Sequence, residues 1–296
     1  MIITSESLRR LYTSFRTMYT GAFDGAPSDY QQIAMVSPST TSAEEYGWLK
    51  SSTGFREWLG DRVVQNISDA SYTIRNKHFE NTVAVDRNRI EDDQVGIYKP
   101  VVEQMGLDAR QHPDQLVFSL VKRGFAEVCY DGQYFFDTDH EGFDAAGNPV
   151  SVSNFAAGGG PGWYLIDTRR GLLPLIFQRR RAFAITAKTA LTDDNVFNAG
   201  EFVWGTDGRC NVGFGLWQVA YKSRLPLTPE NYNAARVAMA SLRRRSGAPL
   251  AVAPNLLLVP TSLEAAARTL LNAEQIAGST NTWRGTAELL VSPHLA

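Results

Sequence analysis

The sequence predicts an α+β fold, and three observations carry that reading. Apolar residues recur at helical spacing in separate stretches, near residues 8–19, 116–121 and 232–242. Strand-prone runs gather between them, over 62–87 and again over 163–221. The chain is 296 residues long, 44% hydrophobic and 20% charged, and chains of this length bury about three quarters of their unfolded surface, so a sizeable core is available.

The first element is an amphipathic helix. Leu8, Leu11, Tyr12, Phe15 and Tyr19 fall on one face, with Arg9, Arg10 and Arg16 on the other. Thr4 or Ser5 can cap its start and Gly21 can end it. Turn-rich stretches at 24–29 and 37–42 follow, so the helix reads as tethered rather than embedded. A helix of about 15 residues is not stable alone in water. Its aromatic stripe must dock on the chain's own body or on a neighbouring subunit.

Residues 62–87 read as strands, and the polar break at Asn76-Lys77-His78 predicts a hairpin. Neither face looks like deep core, and a lone hairpin is marginal in water, so it too wants a partner surface. Residues 90–123 are mainly helical. Ile97, Val101, Val102 and Met105 keep the period, but Pro100 predicts a kink or break. His112-Pro113-Asp114 reads as a fresh helix start, with Leu116, Val117, Leu120 and Val121 as its buried stripe and Gly124 as its stop. Asp131-Gly132 is a hairpin-turn dipeptide.

The glycine-rich stretch 142–162 predicts a subdomain boundary. Beyond it, 163–167, 172–177, 182–186, 202–205 and 214–221 read as strands. Thr228 caps a helix that Pro229 opens; Tyr232, Ala235, Met239 and Leu242 line it, Arg243 to Arg245 fill its last turn, and Gly247 ends it. A strand at 256–259, a helix at 263–271 and a strand at 286–292 close the chain.

The search for chemistry is negative. Two cysteines, Cys129 and Cys210, exclude a disulfide scaffold and a four-cysteine zinc site. His78, His112, His140 and His294 lack metal-ligand spacing. No phosphate-loop, dinucleotide-binding, nucleophile-elbow or zinc-protease pattern is present, so neither a catalytic residue nor a cofactor or metal is expected. Asp137-Thr-Asp139-His140-Glu141-Gly142 has the opening rhythm of a calcium loop, but position five is Glu and position twelve is Asn148, so it reads as a turn with solvated carboxylates. The Arg169-Arg170, Arg179–Arg181 and Arg243–Arg245 clusters read as ion-pairing surface rather than phosphate contact, because the net charge is −2. The six tryptophans, Trp58 among them, read as core or interface anchors. The opening residues lack signal-peptide features and no apolar run approaches a membrane span, so the expectation is a soluble protein with no membrane contact. Two alternatives stay open: a hydrolase using Asp137, Asp139 and His140, and a non-specific DNA-binding protein using Arg243–Arg245.

Several runs resemble the major head subunit of Mu-like phages and prophages: Phe55-Arg-Glu-Trp-Leu-Gly-Asp-Arg-Val-Val, Phe79-Glu-Asn-Thr-Val-Ala-Val, Ile90-Glu-Asp-Asp and Tyr130-Asp-Gly-Gln-Tyr-Phe-Phe-Asp-Thr-Asp-His. The similarity continues through Trp217-Gln-Val-Ala-Tyr and Pro254-Asn-Leu-Leu-Leu-Val-Pro to Val291-Ser-Pro, and so covers most of the chain. It implies the tailed-phage capsid fold of the Hong Kong 97 type, with an N-terminal arm at 1–54 and an extended loop hairpin at 55–88. A peripheral domain with a spine helix would take 89–144 and 276–296, and an axial domain 145–275. The implied function is a non-enzymatic major capsid protein that self-assembles, as hexamers and pentamers, into an icosahedral shell around double-stranded DNA. A scaffolding protein, a portal and a decoration protein would be its partners, and it would be assembled in the host bacterial cytoplasm and end in the virion. Inter-subunit contact is then expected of Leu8, Leu11, Tyr12, Phe15, Tyr19, Trp58, Arg62, Tyr72, Lys77 and Phe79, and inner-surface DNA contact of Arg9, Arg10 and Arg16.

Overall fold

The computed structural model describes residues 3–50, 72–92 and 94–296. The first half of the chain forms α1 (Ser5–Gly25), β1 (Ala34–Pro38), β2 (Ala43–Glu45), β3 (Thr73–Arg75), β4 (Lys77–Asp86), α2 (Arg87–Glu91), α3 (Lys99–Lys122), β5 (His140–Phe143) and β6 (Pro149–Val152). The second half forms β7 (Phe155–Ala156), β8 (Trp163–Ile166), β9 (Leu175–Lys188), α4 (Asp194–Ala199), β10 (Glu201–Phe214), β11 (Ala220–Ser223), α5 (Pro229–Ala240), β12 (Leu256–Pro260), α6 (Glu264–Asn272), β13 (Gln275–Ile276), β14 (Ser279–Thr280) and β15 (Glu288–Ser292).

Two sheets organise the molecule. A four-stranded sheet runs β1-β9-β10-β4, and a five-stranded sheet runs β15-β12-β8-β11-β7. The central strands of the second, Leu256-Leu-Leu-Val-Pro and Trp163-Tyr-Leu-Ile, are buried along their whole length, which is why they read as continuous rather than alternating apolar runs. The expected axial segment 145–275 supplies strands to both sheets. Its β9 and β10 pair with β1 and β4, while β15, from the last 21 residues, pairs in parallel with β12.

The long β9–β10 hairpin has strands of 14 residues each, where the sequence suggests shorter separate strands. Arg179–Arg181 break the apolar pattern because they are exposed, and a register shift between Asp207 and Cys210 absorbs the irregularity. The predicted hairpin at 76–78 does not form. The chain steps at Asn76 from β3, which pairs with β2, to β4, which pairs with β10. Asn76 pins the step: its Nδ2 donates to Ser39 Oγ (2.7 Å) and the Thr41 carbonyl (2.9 Å), and its Oδ1 accepts from Gln178 Nε2 (2.9 Å). The predicted 62–67 strand lies outside the described residues.

Helix α3 is continuous, against the breaks expected at Pro100 and Pro113. Pro100 sits in the first turn, where its missing N–H has no intrahelical partner to lose. Pro113 is interior and costs about 3 kcal/mol. Against that, Val102, Met105 and Ala109 are buried before it, and Val117, Phe118, Leu120 and Val121 after it. Burying a large apolar side chain is worth roughly 1.5–3 kcal/mol, so together these outweigh the lost hydrogen bond. Helix α5 ends at Ala240, short of the expected Arg243–Arg245 turn. The chain there folds back, with Leu250 N–H donating to the Leu242 carbonyl (2.7 Å) and Gly247 at φ +78°.

Helix α1 is embedded rather than tethered. The Thr4 hydroxyl accepts from Ser7 N–H (3.1 Å) and Ser7 Oγ accepts from Thr4 N–H (2.9 Å), a reciprocal cap, and the helix continues past Gly21 to Gly25. It packs on α3 and on one face of the four-stranded sheet. Phe15 meets Trp204 edge-on at 5.1 Å, Tyr19 Oη lies 2.8 Å from Thr206 Oγ1, and Tyr12 Oη donates to the Ile185 carbonyl (3.1 Å). At Gly106 of α3 a Cβ would overlap the Tyr19 carbonyl oxygen, so only glycine permits this helix approach.

Candidate assembly surface

Four of the ten residues expected between subunits are covered by their own chain. Leu8, Leu11, Phe15 and Tyr19 are 1–6% exposed, because α3 and the sheet occupy the stripe. This corrects the expectation that these four face a neighbour. Tyr12 is half-buried. Tyr72 is half-buried, its Oη accepting from Phe214 N–H (2.8 Å), and burial pushes its hydroxyl up to about 12. Phe79 is half-buried with its ring 4.3 Å from His112, whose burial depresses its pKa. Lys77 is exposed, at the start of β4. Trp58 and Arg62 lie outside the described residues. Arg9, Arg10 and Arg16 are exposed on the outer side of α1, with Arg10 bonded to Glu6 (2.5 Å).

The residues of the hydrolase alternative do not converge. His140 is fully buried and stacks on Trp217 at 4.1 Å; its Nδ1 lies 2.8 Å from Asp131 Oδ2, not against Asp137 or Asp139. Burial works against the Asp131 carboxylate. Hydrogen bonds from His140, from the Cys129 thiol (3.0 Å) and from Gln133 N–H (3.1 Å) outweigh it and hold the pKa below the usual range. The Cys129 thiol is pushed far up by burial and is no nucleophile. Among the described residues no group of three acidic, histidine or cysteine side chains could hold a metal ion, and no helix is long and apolar enough to cross a membrane. At least one arginine of each cluster is tied into the fold. Arg169 and Arg170 clasp the buried Asp167, Arg181 pairs with Asp207, and Arg243 donates to the Gly247 carbonyl (2.8 Å).

Two surface features were missed in the sequence. At the apex of the β9–β10 hairpin, Phe197 of α4 is 82% exposed and Leu191 is 42% exposed. Toward the apex end of the same sheet lies an apolar hollow of about 250 Å³ whose wall includes Phe15, Val83, Tyr98, Val101 and Trp204. Asp193-Asp-Asn-Val-Phe-Asn, a lone aromatic among polar residues after a long strand, was the available signal for the first. The hollow joins four elements, α1, β4, the start of α3 and β10, that are distant in sequence, and had none.

The comparisons give this architecture a class. The structure superposes on the procapsid subunit of bacteriophage JBD30 with a TM-score of 0.87 and 42% identity, covering 99% of this chain and 100% of that one. On the bacteriophage JBD30 capsid the TM-score is 0.80 at 32% identity, with both chains fully covered. The α+β fold is thus that of a tailed-phage major capsid protein, the Hong Kong 97 type, a structural rather than enzymatic class. The Mu-like prophage major head subunit gpT model matches residues 8–295, and the major capsid protein of Escherichia phage Mu is 40% identical over 305 aligned residues spanning all of both chains. This chain belongs to the Mu-like prophage major head subunit family, and it is a capsid protein of the virion that builds a shell from copies of itself.

Proposed function

We propose that this chain forms the icosahedral head of a Mu-like phage, as hexamers and pentamers enclosing double-stranded DNA. The observation that carries the reading is the full-length relation to head subunits together with a fold matched end to end in a procapsid and a capsid. A shell repeats one set of contacts under closed symmetry, so modest contacts per subunit add to a durable particle. Its partners are a scaffolding protein, a portal, a decoration protein and the packaged DNA, and assembly takes place in the host bacterial cytoplasm.

We read the four expected parts onto the fold with two shifts. The arm stays at 1–54 and the extended loop within 55–88, each lending one strand (β1 and β4) to the four-stranded sheet, and α3 is the spine. The four-stranded sheet, including β9 and β10, belongs to the peripheral domain. The five-stranded sheet, including β15, belongs to the axial domain. Tyr12, Tyr72, Lys77, Phe79, Trp58 and Arg62 keep their proposed place near subunit boundaries. The exposed Arg9, Arg10 and Arg16 face DNA, a contact kept weak by the near-neutral charge.

Negative-stain microscopy of the purified chain, with and without its scaffold, tests this. Closed particles or rings are expected; monomers at every concentration would refute it. Replacing Arg9, Arg10 and Arg16 by Glu should leave particles intact but reduce the nucleic acid retained at low salt, and unchanged retention would remove the DNA assignment.

A further inference from the structure

Gly158-Gly-Gly-Pro-Gly, the run just before β8, borders two cations that no carboxylate of the described residues neutralises. In the five-stranded sheet Tyr164 of β8 pairs directly with Lys222 of β11, and opposed residues of an antiparallel pair point to the same face. Arg224 follows, exposed, just past the end of β11. Tyr164 is 4% exposed and Lys222 6%. Their polar tips converge on Gly162, where a Cβ would lie 3.5 Å from Tyr164 Oη and 3.7 Å from Lys222 Nζ, and only 2.9 Å from Lys222 Cε.

All three side chains are short of an acceptor. Lys222 Nζ faces the rings of Phe125, Tyr164 and Phe136, which attract a cation without neutralising it. Neither Lys222 Nζ nor Tyr164 Oη makes a hydrogen bond among the described residues, and neither tip is sealed from solvent. The Arg224 guanidinium donates from Nε to the Gly160 carbonyl (3.1 Å) and pairs with no carboxylate. The two cations work against each other: burial first, and the Arg224 charge second, depress the Lys222 pKa to about 8. A cation taken out of water is costly unless it is paired. The arrangement is also fixed in place, because Gly160 N–H donates to the Arg224 carbonyl (3.1 Å) and Arg224 N–H to the Ala156 carbonyl (2.9 Å), clipping the glycine-rich loop to the strand end.

Two charged donors and a phenol around one small space make a receptor for an oxyanion. Only a slim group reaches it. A phosphodiester, flanked by a sugar on each side, is too broad to bring its oxygens to tips this deeply covered, whereas the carboxylate ending an Asp or Glu side chain is not. The chain carries 31 Asp+Glu against 29 Lys+Arg, so copies packed in a shell present surplus carboxylates to one another. We infer that Lys222, Arg224 and Tyr164 form a socket for a carboxylate of a second copy, the two cations as its ion pair and the phenol as a further hydrogen-bond donor. The inference rests on the shell reading above. A charge that destabilises the lone subunit becomes paired when copies meet, so the socket favours the assembled state.

The test assembles particles from an equal mixture of light and heavy nitrogen-labelled chains and treats them with a zero-length carbodiimide, which joins an amine to a carboxylate only where the two are in contact. Mass spectrometry of the digest reads which chain each half came from. Links of mixed label between Lys222 and an Asp or Glu are expected in particles and not in dissociated subunits. In parallel, Lys222→Met should keep or raise the subunit's unfolding midpoint yet raise the protein concentration needed to form particles by about tenfold, with Arg224→Gln acting in the same direction on assembly. Links absent or confined to one chain, or normal assembly by Lys222→Met, overturn the socket and leave the shell reading standing. An assembly defect of Lys222→Met that arises only when DNA is present would assign the oxyanion to phosphate and overturn the carboxylate. A wild-type chain that forms no particles defeats the shell reading, and the socket with it.

Discussion

Lys222 is 6% exposed, yet its ammonium meets aromatic rings where a carboxylate would be expected: Phe125 at 4.1 Å, Tyr164 at 5.1 Å and Phe136 at 5.7 Å from the ring centres. Burial first, and the neighbouring Arg224 charge second, lower its pKa from 10.5 to about 8. The folded chain therefore releases this proton more readily than the unfolded chain. Between about pH 8 and pH 10 the unfolded state binds more protons, so the wild type gains stability as pH rises through that window and loses it as pH falls back to 8. Lys222→Met keeps the volume and removes the buried charge. It is expected to stabilise the subunit by about 1 kcal/mol at pH 7, with the advantage over wild type shrinking toward zero by about pH 10. Denaturant titrations at pH 7 and pH 10 check this, and a Met variant less stable at both would show that the ring contacts outweigh desolvation. Nothing in Tyr221-Lys222-Ser223 announces such a site. The cage rings come from three other places in the chain, and a single sequence pattern carries no information about which distant residues share a cavity.

Helix α1 shows what periodicity can and cannot tell. Its cap and its stripe at Leu8, Leu11, Phe15 and Tyr19 were legible, because a 3.6-residue repeat names the buried face. The occupant of that face was not, because amphipathicity is the same whether the cover is the chain's own α3 or another subunit. The decisive residue is Gly106, which reads in sequence as an unfavourable glycine within a helix and in the structure as the point where α3 touches the α1 backbone. Gly106→Ala should gain about 1 kcal/mol from helix propensity. The added methyl would also lie about 3.1 Å from Ala22 Cβ and from Phe23 N, besides overlapping Tyr19, so the helices must separate. The expected net effect is a loss of about 2 kcal/mol in thermal or denaturant unfolding. A variant as stable as the wild type would mean that α1 can lift away from α3 without penalty. The same packing predicts that removing α1 unfolds the subunit instead of merely impairing assembly. The prolines misled for a related reason. Pro113 is a local signal for a helix start, and local signals lose when burial on both sides of the break is at stake.

Across the whole molecule, α3 ties together two cores that the sequence does not separate. Val102, Met105 and Ala109, from its N-terminal half, join Leu8, Leu11, Phe15, Val85, Ile185 and Trp204. Val117, Phe118, Leu120 and Val121, from its C-terminal half, join the larger core built on β8 and β12. The division falls at His112-Pro113-Asp114. There the buried Asp114 carboxylate accepts from Asp29 N–H (2.8 Å), Tyr30 N–H (2.7 Å) and Ser28 Oγ (2.6 Å), fixing the segment between α1 and β1 to the helix. The strands β9 and β10 also reach both cores, Ile176 and Phe214 in the larger, Ile185 and Trp204 in the smaller. Chains of this length with two sheets ordinarily unfold in separable steps. Here neither core can open without dissolving half of α3 and half of the long hairpin. Phe15→Ala in one core and Phe118→Ala in the other should each cost about 3–5 kcal/mol and shift one shared transition, with circular dichroism and tryptophan fluorescence coincident. If Phe15→Ala instead produced an early step seen by one probe while the second transition stayed at the wild-type midpoint, the two cores would be independent and α3 a mere connector.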